Sequence, residues 1–262
     1  MVRAWVALAI MLPACGRIGF DISGDSGDGG AGASYAATVL ADGPYAYYRL
    51  GDALGAATLR DSSGNNRHAE SRQSSGGEIS PRPGALAGDP NTATRFLGEG
   101  NTGTGGIGLG LFPAVWPLWS GDFTIEAFVD TLSQPPGGYA HSLVICETYL
   151  ADGFRIGWNI DGKIEVWSDE AGGGDAMISV GSLRSGWTHL AIVQRGGTIQ
   201  VFFDGVSDGV STFMYFGPTG SAECGFGSFH GMECDVILDE LAIYDVGLTG
   251  AQIAAHYAAS GR

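Results

Sequence analysis

The chain has 262 residues, of which 45 are glycine, and 28 Asp plus Glu stand against 13 Lys plus Arg for a formal charge of −15. Glycine is more than twice the ~7% of ordinary usage, but no G-X-Y period accompanies it and 44% of residues are hydrophobic, so collagen and wholesale disorder are both excluded. Lys163 is the only lysine; so acidic a chain lacks the clustered basic groups that bind phosphate backbones, and nucleic acid is excluded as a partner.

Residues 1–14 read as an export signal. Arg3 supplies the basic start, an apolar run extends from Trp5 to Leu12, and small residues precede Cys15. The run falls short of the ~20 residues that a membrane span needs. Leu12-Pro13-Ala14-Cys15 resembles the lipobox of bacterial lipoproteins, which implies acylation of Cys15; a conventional signal peptide cut near Ala14 is the alternative. Residues 15–34 are rich in Gly, Asp and Ser and read as a flexible tether that lifts a domain off a surface.

From residue 35 to 262 the apolar residues recur with period two in short runs broken by Gly, Asp, Asn and Pro. This pattern predicts one all-β domain, a two-sheet antiparallel sandwich. In Phe123-Thr124-Ile125-Glu126-Ala127-Phe128-Val129, positions 123, 125, 127 and 129 share a face. Further strands are expected over Ser142 to Tyr149, Phe154 to Asn159, Lys163 to Ser168, Ala176 to Val180, Trp187 to Gln194 and Thr198 to Phe203. Ile160-Asp161-Gly162-Lys163 and Arg195-Gly196-Gly197-Thr198 predict hairpin turns, because glycine supplies the positive φ such turns need. Five consecutive strands are thus expected to run as a meander. One short C-terminal helix is expected after Thr249, with Ile253, His256 and Tyr257 on one face.

Five motifs in order resemble the concanavalin A-like lectin/glucanase superfamily, in its laminin G-like jelly-roll branch. They are Tyr47-Tyr48-Arg49-Leu50-Gly51-Asp52 with Asp61-Ser62-Ser63-Gly64-Asn65; the Phe123 to Val129 strand; Gly186-Trp187-Thr188-His189-Leu190-Ala191; Ile199 to Gly205; and Phe229-His230-Gly231 with Leu238 to Thr249. The resemblance implies a jelly roll that binds carbohydrate, protein or calcium, and it implies fold more firmly than activity.

Glycoside cleavage needs two carboxylates across a cleft. The glucanases of this superfamily carry a Glu-x-Asp-x-(x)-Glu strand, and the nearest approach here, Asp235 to Glu240, lacks the first Glu. No catalytic residue is assigned, and a glycan-cleaving enzyme is the first rival reading. Calcium is the expected cofactor: hard cations take oxygens from Asp- and Asn-rich turns, and in a jelly roll with adjacent first and last strands Asp61, Ser63 and Asn65 approach Asp239. The five histidines show no zinc spacing, and His189 reads as a packed sheet residue. Trp158, Trp167, Phe203 and Tyr244 fall inside strands and read as core. Trp116 and Trp119, in a Pro-interrupted apolar loop, are the candidate ligand-binding aromatics. Of the remaining cysteines, Cys224 and Cys234 flank a glycine-rich loop and are the expected disulfide, with Cys146 a buried thiol.

The expected protein is therefore a lipid-anchored binding or adhesion module for carbohydrate or a surface glycoprotein. It is placed at the bacterial outer membrane or cell surface, with a structural envelope protein lacking a glycan ligand as the second rival.

Overall fold

The computed structural model describes residues 34–73, 77–98, 105–112, 121–132, 141–148, 152–169, 175–212, 222–227 and 234–262. Its elements in chain order are α1 (Tyr35–Ala41), β1 (Ala46–Tyr48), β2 (Thr58–Leu59), β3 (Ala69–Gln73), β4 (Gly77–Pro83), β5 (Thr92–Gly98), β6 (Gly105–Phe112), β7 (Phe123–Thr131), β8 (His141–Thr148), β9 (Asp152–Trp158), β10 (Lys163–Asp169), β11 (Asp175–Ser182), β12 (Thr188–Arg195), β13 (Thr198–Phe203), β14 (Val206–Thr212), β15 (Ala222–Gly227), β16 (Cys234–Tyr244) and α2 (Gly250–Ala259). All seven strands expected between Phe123 and Phe203 form, with ends shifted by a residue or two.

The strands make two antiparallel sheets. Sheet A has the order β14-β13-β12-β7-β16-β5-β4, with β1 also paired to β16; sheet B has the order β11-β10-β9-β8-β15-β6-β3-β2. The first and last strands lie side by side as the jelly-roll resemblance implies, Tyr48 opposite Leu241. The expected meander is split: β8 to β11 run consecutively in sheet B, and β12 to β14 in sheet A. Between them the link through Gly186, at φ +84°, carries the chain across the sandwich. Both predicted glycine turns form, with Gly162, Gly196 and Gly197 at positive φ.

A second helix corrects the expectation of one. Ser34, counted as tether, caps α1 by accepting from the Ala37 N–H at 3.3 Å. Seven residues are too few to display a helical period in sequence, and only the spacing of buried Tyr35 and Val39 hints at it. α2 begins at Thr249 with a full capping box to Gln252.

Alternation builds the core. Phe123, Ile125, Ala127 and Val129 of β7 meet Leu190, Ile192, Val201, Leu238 and Ile243 of sheet A, and Val144, Ile156, Trp158, Ile164, Val166 and Phe226 of sheet B. Each fully buried large apolar side chain contributes about 1.5–3 kcal/mol. The opposite face of sheet A is buried as well. Phe128, Ala191, Val193, Phe202, Ala242 and Tyr244 pack beneath Tyr35 and Val39 of α1 and Ile253 of α2.

Candidate functional site

Two outer faces are available to a ligand, and the residues singled out in the sequence fall mainly on the covered one. Strand β16 carries a bulge: its register against β7 shifts between Asp239 and Ala242, with Glu240 at φ +53°. The extra residue turns both acids away from the core, since Leu238 and Leu241 both face inward. At the same point the other edge of β16 changes partner from β5 to β1.

Asp239 is 1% exposed. Its Oδ2 accepts from the Ala85 N–H at 2.7 Å, and its Oδ1 from the Glu240 N–H at 3.0 Å and Asn91 Nδ2 at 3.4 Å. Burial, reinforced by the Glu240 charge, pushes its carboxyl up to about 8. Glu240 is fully buried; it accepts from Arg49 Nε at 3.0 Å and Nη2 at 2.9 Å, and from the Tyr47 hydroxyl. The pair is a strand junction, bonded to its own scaffold.

Asp61 and Asn65, the other expected calcium ligands, are likewise committed. Asp61 Oδ1 accepts from the N–H groups of Tyr47 at 3.0 Å and Ser63 at 2.9 Å, and Oδ2 from that of Arg67 at 2.8 Å. Burial opposes ionisation of Asp61, but these donors outweigh it and hold the carboxyl below its ordinary value. Asn65 presents its amide nitrogen to the carbonyls of Pro44 and Tyr45 at 3.0 and 3.1 Å. The Asp61 and Asp239 oxygens expected to face a cation thus accept from backbone N–H groups. Among the described residues no three His, Cys, Asp or Glu side chains group as metal ligands.

Glu126 of β7 and His189 of β12 stand on the same covered face, in a buried chain of polar contacts. Glu126 accepts from the Tyr244 hydroxyl at 2.7 Å and from His256 Nδ1 at 2.8 Å, and lies 3.4 Å from His189 Nε2. His256 Nε2 reaches Asp42 at 2.9 Å, just beyond α1, while Tyr35 of α1 meets His189 at 3.3 Å. A carboxylate against each ring nitrogen favours the doubly protonated form of His256. Burial opposes this, but the hydrogen bonds and charges of Glu126 and Asp42 raise it overall. Burial also opposes ionisation of Glu126, yet the two histidines hold it at about 2. The network fastens both helices to the sheet, and His189 is the packed sheet residue expected.

The outer face of sheet B differs. Glu70, Gly108, Gly225, Ile145, Arg155, Trp167 and Ala176 are successive register partners across β3, β6, β15, β8, β9, β10 and β11. The neighbouring row through Phe226, Val144, Ile156 and Val166 is core, so Glu70, Arg155 and Trp167 point outward. Trp167, read from sequence as core, is half-buried on the outside between half-buried Arg155 and Ala176, with Glu165 two residues along its strand. Trp158, Phe203 and Tyr244 are buried as expected. Gly106 pairs with Gly227 as Gly108 does with Gly225, so four glycines leave the middle of the face without side chains, a feature that permits close approach of another molecule.

Cys224 is disulfide-bonded. The backbone places Cys146 directly opposite it, whereas Cys234 pairs with Gly98 in the other sheet. The register thus makes Cys146 a candidate partner beside the expected Cys234, because strand order and not proximity in sequence sets which residue stands opposite Cys224. Cys15, Trp116 and Trp119 lie outside the described residues. Among the described residues no helix is long and apolar enough to cross a membrane.

An antiparallel sandwich of two eight-stranded sheets, with its first and last strands side by side, defines a jelly-roll module. The family model of the concanavalin A-like lectin/glucanases superfamily matches residues 101–254, and the chain belongs to that family. Similar solved structures include botulinum neurotoxin type C, in work on its interaction with two ganglioside molecules (TM-score 0.61, 11% identity, 84% of this chain and 52% of that one). The binding domain of Paraclostridial Mosquitocidal Protein 1 is also similar (TM-score 0.56, 16% identity, 83% and 52%). So is domain 4 of AbnA, a GH43 extracellular arabinanase from Geobacillus stearothermophilus, in complex with arabinotriose (TM-score 0.54, 19% identity, 82% and 98%). The chain spans about half the length of the toxin structures, 52% in each case above, and at these identities the likeness is one of fold. No curated protein sequence matches it.

Proposed function

We propose that the protein is a non-catalytic carbohydrate-binding module whose contact surface is the outer face of sheet B. The observation that carries this reading is Trp167, a large aromatic left half-buried beside Arg155 and Glu165, on the same face as the glycine pairs and three strands from them. An aromatic plane with a few polar groups around it suits a sugar ring, which is apolar on its faces and hydroxylated at its rim. The sugar-complexed arabinanase domain, nearly all of which the chain covers, supports the same reading by analogy of fold. The absence of catalysis is supported by Asp239 and Glu240, the nearest approach to a glucanase motif, being buried and bonded to backbone and Arg49.

The proposal includes attachment through acylated Cys15 to the bacterial outer membrane or cell surface, with Trp116 and Trp119 as a second contact. A glycan array followed by calorimetry on the best binder tests it. Trp167→Ala should weaken binding at least about tenfold, since truncating a central aromatic anchor costs ~2 kcal/mol or more. A bound glycan whose affinity ignores Trp167→Ala overturns the assignment of the face. An array without binders favours the structural-envelope reading. Fatty-acid labelling that persists in Cys15→Ser would overturn the anchor.

A further inference from the structure

His256 of α2 stands between two carboxylates that differ in their access to water. Its Nδ1 meets Glu126 of β7 at 2.8 Å, and its Nε2 meets Asp42 at 2.9 Å. Glu126 is fully buried, whereas the Asp42 side chain, just beyond α1, is 26% exposed. The other titratable groups around the ring are Tyr244 of β16, stacked on it at 6.2 Å between centroids, and Tyr35 of α1, edge-on at 6.4 Å. His189 of β12 reaches Glu126 at 3.4 Å. Burial, reinforced by the Glu126 charge, holds both tyrosine hydroxyls well above their ordinary value, so they stay neutral while His256 titrates.

A doubly protonated ring has one N–H for each carboxylate, and a neutral ring has one N–H and one lone pair. When His256 loses a proton, one of the two carboxylates must face the lone pair. For Glu126 that would leave a buried charge short of a donor, which the interior penalises heavily. Asp42 can turn to water, which replaces the lost hydrogen bond. The proton that leaves is therefore the one on Nε2, and the contact that breaks joins the end of α1 to α2. Asp42 is also the C-cap of α1, its N–H bonded to the carbonyls of Val39 and Leu40. Seven residues are too few for a helix to persist without attachments. Those that remain are Tyr35, at 3.3 Å from His189, and buried Val39.

We propose that α1 is a pH-operated strap: doubly protonated His256 latches it to α2 and β7 through Asp42 and Glu126, and loss of the Nε2 proton as pH rises releases it locally while both sheets stay folded. The strap leads into β1, so its opening frees residues 34–45 ahead of the sandwich and uncovers Phe128, against which Tyr35 packs at 5.3 Å. The device lies on sheet A and does not depend on Trp167 or on any ligand.

Amide hydrogen exchange of the full chain by NMR tests it, corrected for intrinsic rates and followed from about pH 6 upward until His256 is neutral, with the ring nitrogen shifts of His256 read in parallel. Protection of residues 38–41 should fall about tenfold or more as the ring titrates, the effect of losing one charge-assisted hydrogen bond, while Ile125 and Ile192 stay protected. Neutral His256 should carry its proton on Nδ1. Asp42→Asn should keep α1 protected at every pH, because an amide offers oxygen to the charged ring and N–H to the neutral one. Asp42→Ala should leave α1 weakly protected throughout. Protection of α1 that stays constant while His256 titrates, or that falls only in step with Ile125 and Ile192, would overturn the inference. So would a neutral ring protonated on Nε2, an Asp42→Asn chain with the wild-type pH dependence, or a ring that stays charged until the sandwich itself unfolds.

Discussion

The two outer faces of this sandwich are built by the same alternation and end in opposite chemistry. On sheet A the outward residues include Glu126, His189, Asp239 and Glu240, all fully or almost fully buried, because two helices and the segment around Ala85 roof them over. On sheet B the outward residues include Arg155, Glu165 and Trp167, which keep part of their surface in water. A charged residue under a roof must be paired, since an isolated buried charge costs several kcal/mol. The acids of sheet A are accordingly consumed by fastening the roof. A half-exposed aromatic has no such obligation and is free to meet a ligand. In this molecule the concentration of ionisable groups marks the mechanical seam, and the sparser face is the candidate for recognition.

The comparison breaks first at Glu126. Glu126→Ala strips His256 and His189 of their shared carboxylate, and urea denaturation should show a loss of about 3–5 kcal/mol, the range for orphaning a buried ion. A loss below about 1 kcal/mol would mean the helices are held by packing alone. The same seam sets the pH profile. Glu126, held at about 2 against an ordinary 4.5, adds stability that is complete above 4.5 and drains away as pH falls toward 2. His256, raised above 6.5, adds stability that is complete below 6.5 and is lost as pH rises through its raised value. Melting temperature should therefore be highest between these limits as far as this network decides it, and His256→Gln should flatten the alkaline side.

Next in size is the disulfide. Peptide mapping should recover Cys146 joined to Cys224, and Cys224→Ser should cost about 2–4 kcal/mol; a Cys224–Cys234 peptide would contradict the register argument. Trp167→Ala, by contrast, should cost only about 1–2 kcal/mol of stability, for the buried part of the ring, while removing glycan affinity, the reverse weighting of Glu126→Ala. The smallest effect is expected from a chelator. Asp61, Asn65 and Asp239 already have protein partners, so EDTA should leave the melting temperature unchanged, and a calcium-dependent rise would show that other oxygens complete a site there.

Much of the fold was legible because alternation is local. Ile164 and Val166 set one face of β10 and Ile125, Ala127 and Val129 one face of β7 without reference to any partner. The pattern also held unread signals. Trp167 shares its parity with Lys163 and Glu165, which already places it outside. Gly106 and Gly108 alternate with Ile107 and Leu109 as Gly225 and Gly227 alternate with Phe226, so the bare floor was written in period two. Helix α1 was hidden because about two turns of helix present too few positions to count. The partners of Asp61 and Asp239 were not legible, because an Asp beside Ser, Gly and Asn looks alike in sequence whether its oxygens meet a cation or its own backbone.

Alternation and turn glycines by themselves determined that this chain is an antiparallel sandwich and placed the seven strands between Phe123 and Phe203 to within about two residues, because each signal acts within a few residues of itself. Which sheet would be roofed was decided only in three dimensions. It depends on helices at the two ends of the described domain, α1 and α2, meeting over one sheet and closing around Glu126 and His256, residues 130 apart in the chain. The same long-range decision left Trp167 half-buried on the other sheet, since exposure belongs to the packing of whole layers and not to any segment.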